Sequence, residues 1–258
     1  LVDTGLAALV LPELPALALE VDEHHRHKDV YEHTLIVLEQ AMDLETSHEP
    51  AVEPDFVLRF AALMHDVGKP KTRAFTDGGV SFHHHEVVGA RMTRDRMRAL
   101  KYSNEDVEAV TELVNLHLRF HTYQMGWTDS AVRRYVRDAG PLLAELNVLT
   151  RCDCTTRNEK KAAVLARRMD ELEERIAYLN EREELAALRP EIDGVRVMEL
   201  LEVPAGPVVG AALEFLMDIR LEEGLIGEEA ATARLRAWWE QNKDSAGNLK
   251  RTRRQNNA

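Results

Sequence analysis

The stretch Phe56–Lys69, FVLRFAALMHDVGK, decides the fold because it sets two polar side chains into the end of an apolar helical pattern. The apolar residues that recur at helical spacing are Phe56, Phe60, Leu63 and Val67. Gly68 and Pro70 predict that the helix stops just after this pattern. His65 and Asp66 are therefore expected in the last helical turn, among residues that pack into a core.

Polar side chains interrupt apolar helical patterns at four other places in the chain. These residues are His33, His85, His117 and Asp153. A neutral imidazole or a carboxylate is costly to bury alone, and a cation recovers the lost solvation. A single histidine is more often a surface or hydrogen-bonded residue, but the set together with His65 and Asp66 predicts a site for one or two divalent ions. The ligand types fit Mn, Fe, Co, Ni or Zn, and Mg less well.

Adjacent residues at one helix end cannot chelate one metal ion together as an i, i+4 pair does. The side chains of His65 and Asp66 are therefore expected to point in different directions, with one of them bridging two ions. Two metal ions about 3.5 to 4 Å apart can clamp a phosphoryl group and activate a water. Metal-dependent hydrolysis of phosphate esters is therefore the predicted chemistry. Asp66 and Lys69 are the predicted catalytic residues, and Lys69 and Arg157 are the predicted ligands of the substrate phosphate. His121 is expected either to support a ligand or to lie at the edge of the core.

The composition predicts an all-α protein. Aromatic residues make up only 5% of the 258 residues, and the stretches rich in Ala, Leu, Glu and Arg show little of the alternation typical of strands. A short hairpin is expected in KTRAFTDGGVSFHHH, with Asp77 to Gly79 as its turn. The charge-rich segment from Asn158 to Leu188 predicts a long exposed helix, and the remainder up to Trp239 predicts a small helical appendage.

The predicted organisation has five parts. They are a remnant of a preceding helical region at 1–20, a metal-binding domain at 21–158, a long connecting helix at 159–188, a small helical subdomain at 189–241 and a basic tail at 242–258. The opening of the chain at Leu1 suggests a fragment of a longer protein.

Charge and hydropathy limit the cellular environment and the kinds of binding partner expected for this chain. The net charge of −12 argues against nucleic-acid binding over the whole surface, although the basic tail is either a solvated end or an arm that meets phosphates. No apolar run approaches the roughly 20 residues that cross a bilayer, and a signal peptide is not evident. Cys152 and Cys154 suit neither a disulfide loop nor a zinc knuckle, so a cytoplasmic protein is expected.

Five blocks of the sequence resemble the HD-domain phosphohydrolases in order and spacing. The blocks are HRHKDVYEHTL, LMHDVGK, FHHHEVVGA, ELVNLH and LTRCDCTTRN. Together with the later block IDGVRVMELLEVPAGPVVG, they are most similar to the HD-containing part of bacterial CCA-adding tRNA nucleotidyltransferases and their poly(A) polymerase relatives. The resemblance covers residues 1 to 240 and implies an HD-domain helical bundle in this chain.

The resemblance also implies roles for particular residues. It assigns His33, His65, Asp66 and Asp153 as metal ligands, with His85 and His117 at the positions for a second ion. It implies phosphodiesterase or phosphatase activity on nucleotides or RNA ends, and tRNA or another RNA as a partner. The paired acids of the transferase active site, spaced Asp-x-Asp, have no counterpart in this sequence. The chain is therefore expected to be a C-terminal portion that does not add nucleotides by itself.

Two alternatives to a hydrolase stay open at this point. The helices could form a tRNA-binding module in which the metal only stabilises the fold. The polar set could also be an ordinary hydrogen-bonded core network, although histidines from separate segments seldom converge without an ion.

Overall fold

A computed structural model of the chain describes residues 1–18, 30–46, 53–76, 79–122, 126–154, 159–185 and 188–243. Twelve α-helices and one two-stranded ribbon are found among these residues, so the all-α prediction is confirmed. The helices are α1 Leu6–Val10, α2 Val30–Thr46, α3 Phe56–Met64, α4 Lys69–Thr72, α5 His85–Ala99, α6 Asn104–Leu116, α7 Asp129–Ala139, α8 Leu143–Asp153, α9 Glu159–Glu183, α10 Gly194–Leu201, α11 Pro207–Glu223 and α12 Glu228–Asn242. In the part of the chain that is described, no helix is both long and apolar enough to cross a membrane.

The chain divides into two compact units. Unit 1 comprises residues 1–126 and 138–171, and unit 2 comprises residues 127–137 and 172–258. Helix α9 contributes residues to both units. The predicted five-part organisation stays a prediction.

Unit 1 is a bundle in which α2, α3, α5, α6 and α8 pack around one core. The fully buried side chains that fill it include Val37, Ala61, Leu113, Val114, Leu146 and Leu149. Ser103 caps the start of helix α6, because it accepts a hydrogen bond from the backbone N–H of Asp106 at 3.0 Å. Asp55 caps α3 in the same way through the N–H of Leu58.

The buried face of α3 differs from the predicted one. Phe56 is 38% exposed and stacks on Phe60 and Tyr102, with ring centroids 5.3 and 5.1 Å apart. The buried residues of this stretch are Leu58, Ala61, Ala62, Met64 and His65, while Val67 of the predicted stripe is also buried and Phe60 and Leu63 are half-buried. The predicted and the observed buried residues both have helical spacing. Helix α3 buries the face with the smaller side chains because Ala61 and Ala62 allow neighbouring helices to approach closely.

The predicted hairpin is present as an antiparallel ribbon of β1 Ala74–Thr76 and β2 Gly79–Ser81, with Phe75 paired to Val80. Asp77 and Gly78 of its predicted turn lie outside the described residues. The ribbon joins α4 to α5.

The long helix predicted up to Leu188 is present but ends earlier, at Glu183. Glu184 adopts a left-handed conformation with φ of 48°, which a helix interior does not allow. Cys152 and Cys154 are free thiols, as their spacing predicted.

Unit 2 has its own core and its own buried ion cluster. The core of α10, α11 and α12 consists of Ile192, Val197, Leu201, Ala212, Leu216, Ala231 and Leu235. Separately, Arg133 on α7 and Arg220 on α11 both contact Glu183 at the end of α9, and we call these three residues the Arg–Glu triad. Arg133 and Arg220 are only 4% and 3% exposed.

Every charged group of the triad has partners. Arg133 donates to both carboxylate oxygens of Glu183 at 2.8 Å and to the carbonyl of Leu221 at 3.2 Å. Arg220 donates to Oε2 of Glu183 at 2.6 Å and to its carbonyl oxygen at 3.0 Å. These hydrogen bonds, more than offsetting the effect of burial, lower the pKa of Glu183 to about 2.

Candidate metal centre

Unit 1 brings all six side chains of the predicted metal site together. His33 lies on α2 and Asp153 is the last residue of α8. His65 and Asp66 directly follow α3, His85 is the first residue of α5 and His117 directly follows α6. Most of the cluster is therefore carried by helix ends, where a side chain can leave the packed helix face and reach a shared point.

The first group of ligand atoms surrounds Asp153 and one oxygen of Asp66. His33 Nε2 lies 2.9 Å from Asp153 Oδ1, and His65 Nε2 lies 3.4 Å from the same oxygen. His65 Nε2 is also 3.3 Å from Asp66 Oδ2, and His33 Nε2 is 3.9 Å from it. His33, His65 and Asp66 offer ligand atoms that all lie within 4.8 Å of one another.

The second group uses the other oxygen of Asp66. His85 Nε2 is 3.3 Å from Asp66 Oδ1 and 3.2 Å from His117 Nε2. These three residues also offer ligand atoms within 4.8 Å of one another. Asp66 thus directs one oxygen toward each group, which is the geometry of a carboxylate that bridges two ions.

Backbone carbonyls fix the tautomers of three of the histidines. The Nδ1 atoms of His65, His85 and His117 each lie 2.6 to 2.8 Å from the carbonyl oxygen three residues earlier in the chain. A carbonyl oxygen only accepts, so each Nδ1 carries the proton and the neutral ring presents its Nε2 lone pair to the site. Metal-binding histidines are held in this arrangement by their surroundings.

The contacts between these lone pairs fit a bound cation. In the neutral tautomers, the facing Nε2 atoms of His85 and His117 would both be acceptors, so a proton or a metal ion must lie between them or beside them. His65 is fully buried, and its Nε2 finds no hydrogen-bond partner of acceptable geometry among the described residues. A divalent cation satisfies both observations, and the nitrogen and oxygen donors suit a transition metal.

The charges of the site shift several pKa values in opposite directions. Burial alone would raise the pKa of Asp66 and Asp153, but Lys69 and His65 at Asp66, and His33 and His65 at Asp153, hold both well below their usual range. Burial would lower the pKa of His65, but the two carboxylates raise it to about 10. Burial and the neighbouring histidines lower the pKa of His117 to about 3.

A close backbone approach holds the two groups of ligands together. A Cβ atom at Gly68 would overlap the carbonyl oxygen of His85 and lie 2.7 Å from the nitrogen of Gly89. Only glycine allows the turn after Asp66 to pack directly on α5. The sequence identified Gly68 as a helix stop and missed this second role.

The remaining predicted residues lie as follows. Lys69 donates to Asp66 Oδ2 at 2.7 Å, and its ammonium group lies 5.8 Å from the centroid of the Phe82 ring. His121 is half-buried in the turn after His117, and burial lowers its pKa. Arg157 lies outside the described residues. His83 and His84, which precede His85, are exposed.

Two cations on α9 act on residues beside the site and were not predicted from the sequence. The charges of Lys161 and Arg168 both act on His121 and on Cys154, the residue after Asp153. The signal in the sequence was a pair of doublets, Lys160-Lys161 and Arg167-Arg168, at a spacing of two helical turns.

Comparison with known proteins identifies relatives for most of the chain. Residues 30–179 match the HD domain family. The chain is 33% identical over 241 residues, 92% of its length, to the A-adding tRNA nucleotidyltransferase of Deinococcus radiodurans, and covers 53% of that protein. It is 33% identical over 242 residues to the CC-adding tRNA nucleotidyltransferase of Thermus thermophilus, covering 91% of this chain and 50% of that protein. A shorter match is to the Multifunctional CCA protein of Haemophilus influenzae, with 35% identity over 124 residues. It covers 46% of this chain and 27% of that protein. The chain thus spans about half the length of the first two relatives.

Proposed function

The chain belongs to the HD domain family, and we propose that it is a metal-dependent phosphohydrolase that acts on phosphate esters of nucleotides or RNA ends. The observation that carries this proposal is the pair of ligand groups that share Asp66, because each of its oxygens faces a different pair of histidines. A site with two such groups suits phosphoryl transfer to water better than a single structural ion does.

The proposed ligands divide between two positions. His33, His65, Asp66 and Asp153 would hold one divalent ion, and Asp66 with His85 and His117 would hold a second. Bound ions would polarise a phosphoryl oxygen and lower the pKa of a bound water toward neutrality. Which of Mn, Ni, Fe, Co, Zn or Mg is native is left to metal analysis.

The protein side chains would orient the substrate and exclude water. Lys69 lies beside Asp66 in a largely buried position, so its ammonium group is held where it can contact a phosphate oxygen. Arg157 is proposed as a second phosphate ligand because it follows Asp153 by one turn in the sequence. His121 is proposed to support the site from the turn that follows His117.

The relatives suggest the class of RNA. Two of them are named for adding nucleotides to tRNA, so we propose that the chain is part of a tRNA nucleotidyltransferase-like protein and that tRNA is a partner. The transferase site is proposed to lie outside this chain, which contains no Asp-x-Asp pair. A tRNA-binding module with a structural metal is the competing function.

A test combines metal content with turnover. The purified chain is loaded with Mn²⁺ or Ni²⁺, the bound metal is measured by elemental analysis, and phosphate-ester hydrolysis is followed with 2′,3′-cyclic AMP and with a generic aryl phosphate. We expect Asp66→Asn to lower turnover by roughly a thousandfold or more, since it weakens both ion positions. Asp95→Asn is the control because it removes the same charge from an exposed position of α5.

The competing functions give different results. Bound metal, tRNA binding and no turnover that depends on Asp66 would favour the binding module. A chain that holds no metal after loading would contradict both and leave a hydrogen-bonded polar core.

A further inference from the structure

Helix α9 carries two pairs of cations, each made of one lysine and one arginine at the same spacing along the helix. Lys161 and Arg168 are seven residues apart, which is nearly two helical turns, so they lie on one stripe of the helix. Lys160 and Arg167 have the same spacing but lie about 100° further round the helix. The two stripes have the same composition and differ only in the direction they face.

Arg168, on the first of these stripes, contacts the turn that follows His117. The guanidinium group of Arg168 lies over the ring of Phe120, 5.1 Å from its centroid, and Phe120 is fully buried three residues after His117. The ring of Phe120 in turn makes an edge contact with His121, at 5.4 Å between centroids. Arg168 is therefore fixed at the turn that follows a metal-ligand position.

The electrostatics of the neighbouring residues agree with this position. Burial lowers the pKa of His121, and the charges of Arg168 and Lys161 lower it further. Arg167 on the other stripe is 70% exposed and pairs with Glu171 on its own helix at 3.5 Å.

We propose that Lys161 and Arg168 bind the phosphates of an RNA strand that adjoin the scissile phosphate, so that the site prefers RNA ends to mononucleotides. Along the helix axis the two cations are about 10 Å apart, which is more than one phosphate group spans. The chain carries a net charge of −12, so an RNA strand needs a local cationic surface to approach the site. This inference rests on the proposed function, because the metal centre positions the scissile phosphate.

The test compares the two stripes in the full chain. Binding of a fluorescent RNA oligonucleotide with a 3′-phosphate is measured by anisotropy as a function of salt, and hydrolysis is measured on 2′,3′-cyclic AMP and on an oligonucleotide ending in a 2′,3′-cyclic phosphate. The variants are Lys161→Gln with Arg168→Gln, and Lys160→Gln with Arg167→Gln as the control of equal charge.

The two variants are expected to differ. The first pair of substitutions should weaken RNA binding roughly tenfold and reduce the slope of log K against log salt by about 1.4, since each phosphate contact on a single strand contributes about 0.7. The control pair should change binding by less than about twofold. In the first double variant, hydrolysis of the oligonucleotide should fall clearly more than hydrolysis of 2′,3′-cyclic AMP. Lys161→Gln alone, at an exposed position, repeats the test with a smaller effect if the double variant does not fold.

Three results would overturn the proposal. Equal losses in both double variants would show that only total charge matters. An equal loss on the mononucleotide and on the oligonucleotide would place the cations at the scissile phosphate instead, and no loss would remove them from RNA binding altogether. A wild type that hydrolyses neither substrate would contradict the proposed function, while the binding comparison would still decide this inference.

Discussion

The metal centre of unit 1 and the Arg–Glu triad of unit 2 are both buried clusters of charged side chains, but their hydrogen bonding differs. In the triad, both oxygens of Glu183 accept from arginines and the arginines also reach backbone carbonyls. In the metal centre, the Nε2 atoms of His85 and His117 face each other and Nε2 of His65 has no partner of acceptable geometry in the described part of the chain.

This difference distinguishes a structural cluster from a ligand site. A buried ionic cluster adds to stability only when its members satisfy one another. A cluster whose lone pairs converge on one point without donors is less stable by itself. It gains stability when a ligand supplies the missing positive charge. The triad is therefore complete as the chain folds, whereas the proposed metal centre has a polar arrangement that a bound cation would complete.

The largest expected effect tests the triad. Glu183→Gln should lower the free energy of unfolding by about 3 to 5 kcal/mol, because two buried arginines lose their common anion. Glu181→Gln, two residues earlier on an exposed position of α9, should have little effect. Urea unfolding followed by circular dichroism measures both. Similar losses in the two variants would mean that the triad contributes no more than a surface charge does.

The next effect tests the metal centre by linkage. Mn²⁺ at a hundredfold excess over its dissociation constant should raise the free energy of unfolding by about 2.7 kcal/mol over the value in EDTA. Asp66→Asn should abolish this increase, since Asp66 faces both ligand groups. Glu183→Gln should retain it. A triad variant that no longer responds to metal would break the distinction between the two clusters.

The sequence indicated which side chains converge in unit 1, but it gave no indication of the triad, for a physical reason. Histidines and aspartates inside apolar helical patterns are rare enough to be noticed, and the four histidines and two aspartates predicted here all converge in unit 1. Arg133, Glu183 and Arg220 lie in charge-rich segments where most ions are solvated, so the pattern gave no sign that the two arginines are buried against Glu183.

Prediction was weakest where two helix faces were equally apolar or where backbone contact decides the packing. Helix α3 buries Ala61 and Ala62 while Phe56 stays exposed, because close helix packing outweighs the larger apolar area of the ring. The approach of Gly68 to α5 depends on which helices become neighbours, and a single sequence does not contain that information.

A matched pair of glycines provides the third test. Gly68→Ala should cost about 1 to 3 kcal/mol and also weaken metal binding, because its Cβ would meet the backbone of α5 and separate Asp66 from His85. Gly224→Ala should cost a similar or smaller amount without affecting metal binding, since its φ of 81° is strained for alanine and its Cβ would lie 2.7 Å from Nη2 of the flexible Arg133 side chain. Metal titrations with unfolding curves separate the two outcomes. Unchanged metal affinity in Gly68→Ala would contradict the role of this contact.

The smallest expected effect concerns acid pH. The folded pKa of Glu183 is about 2, below its ordinary value of 4.5, so its contribution to stability is fully present above the unfolded pKa and is lost as pH falls toward the folded pKa. The difference in free energy of unfolding between the wild type and Glu183→Gln should therefore shrink by about 1 to 2 kcal/mol between pH 5 and pH 3. Measuring the difference in EDTA cancels the titration of Asp66 and Asp153, which both proteins share. A difference that stays constant over this range would mean that the two arginines do not hold Glu183 ionised. The triad would then not be a cluster whose charges satisfy one another.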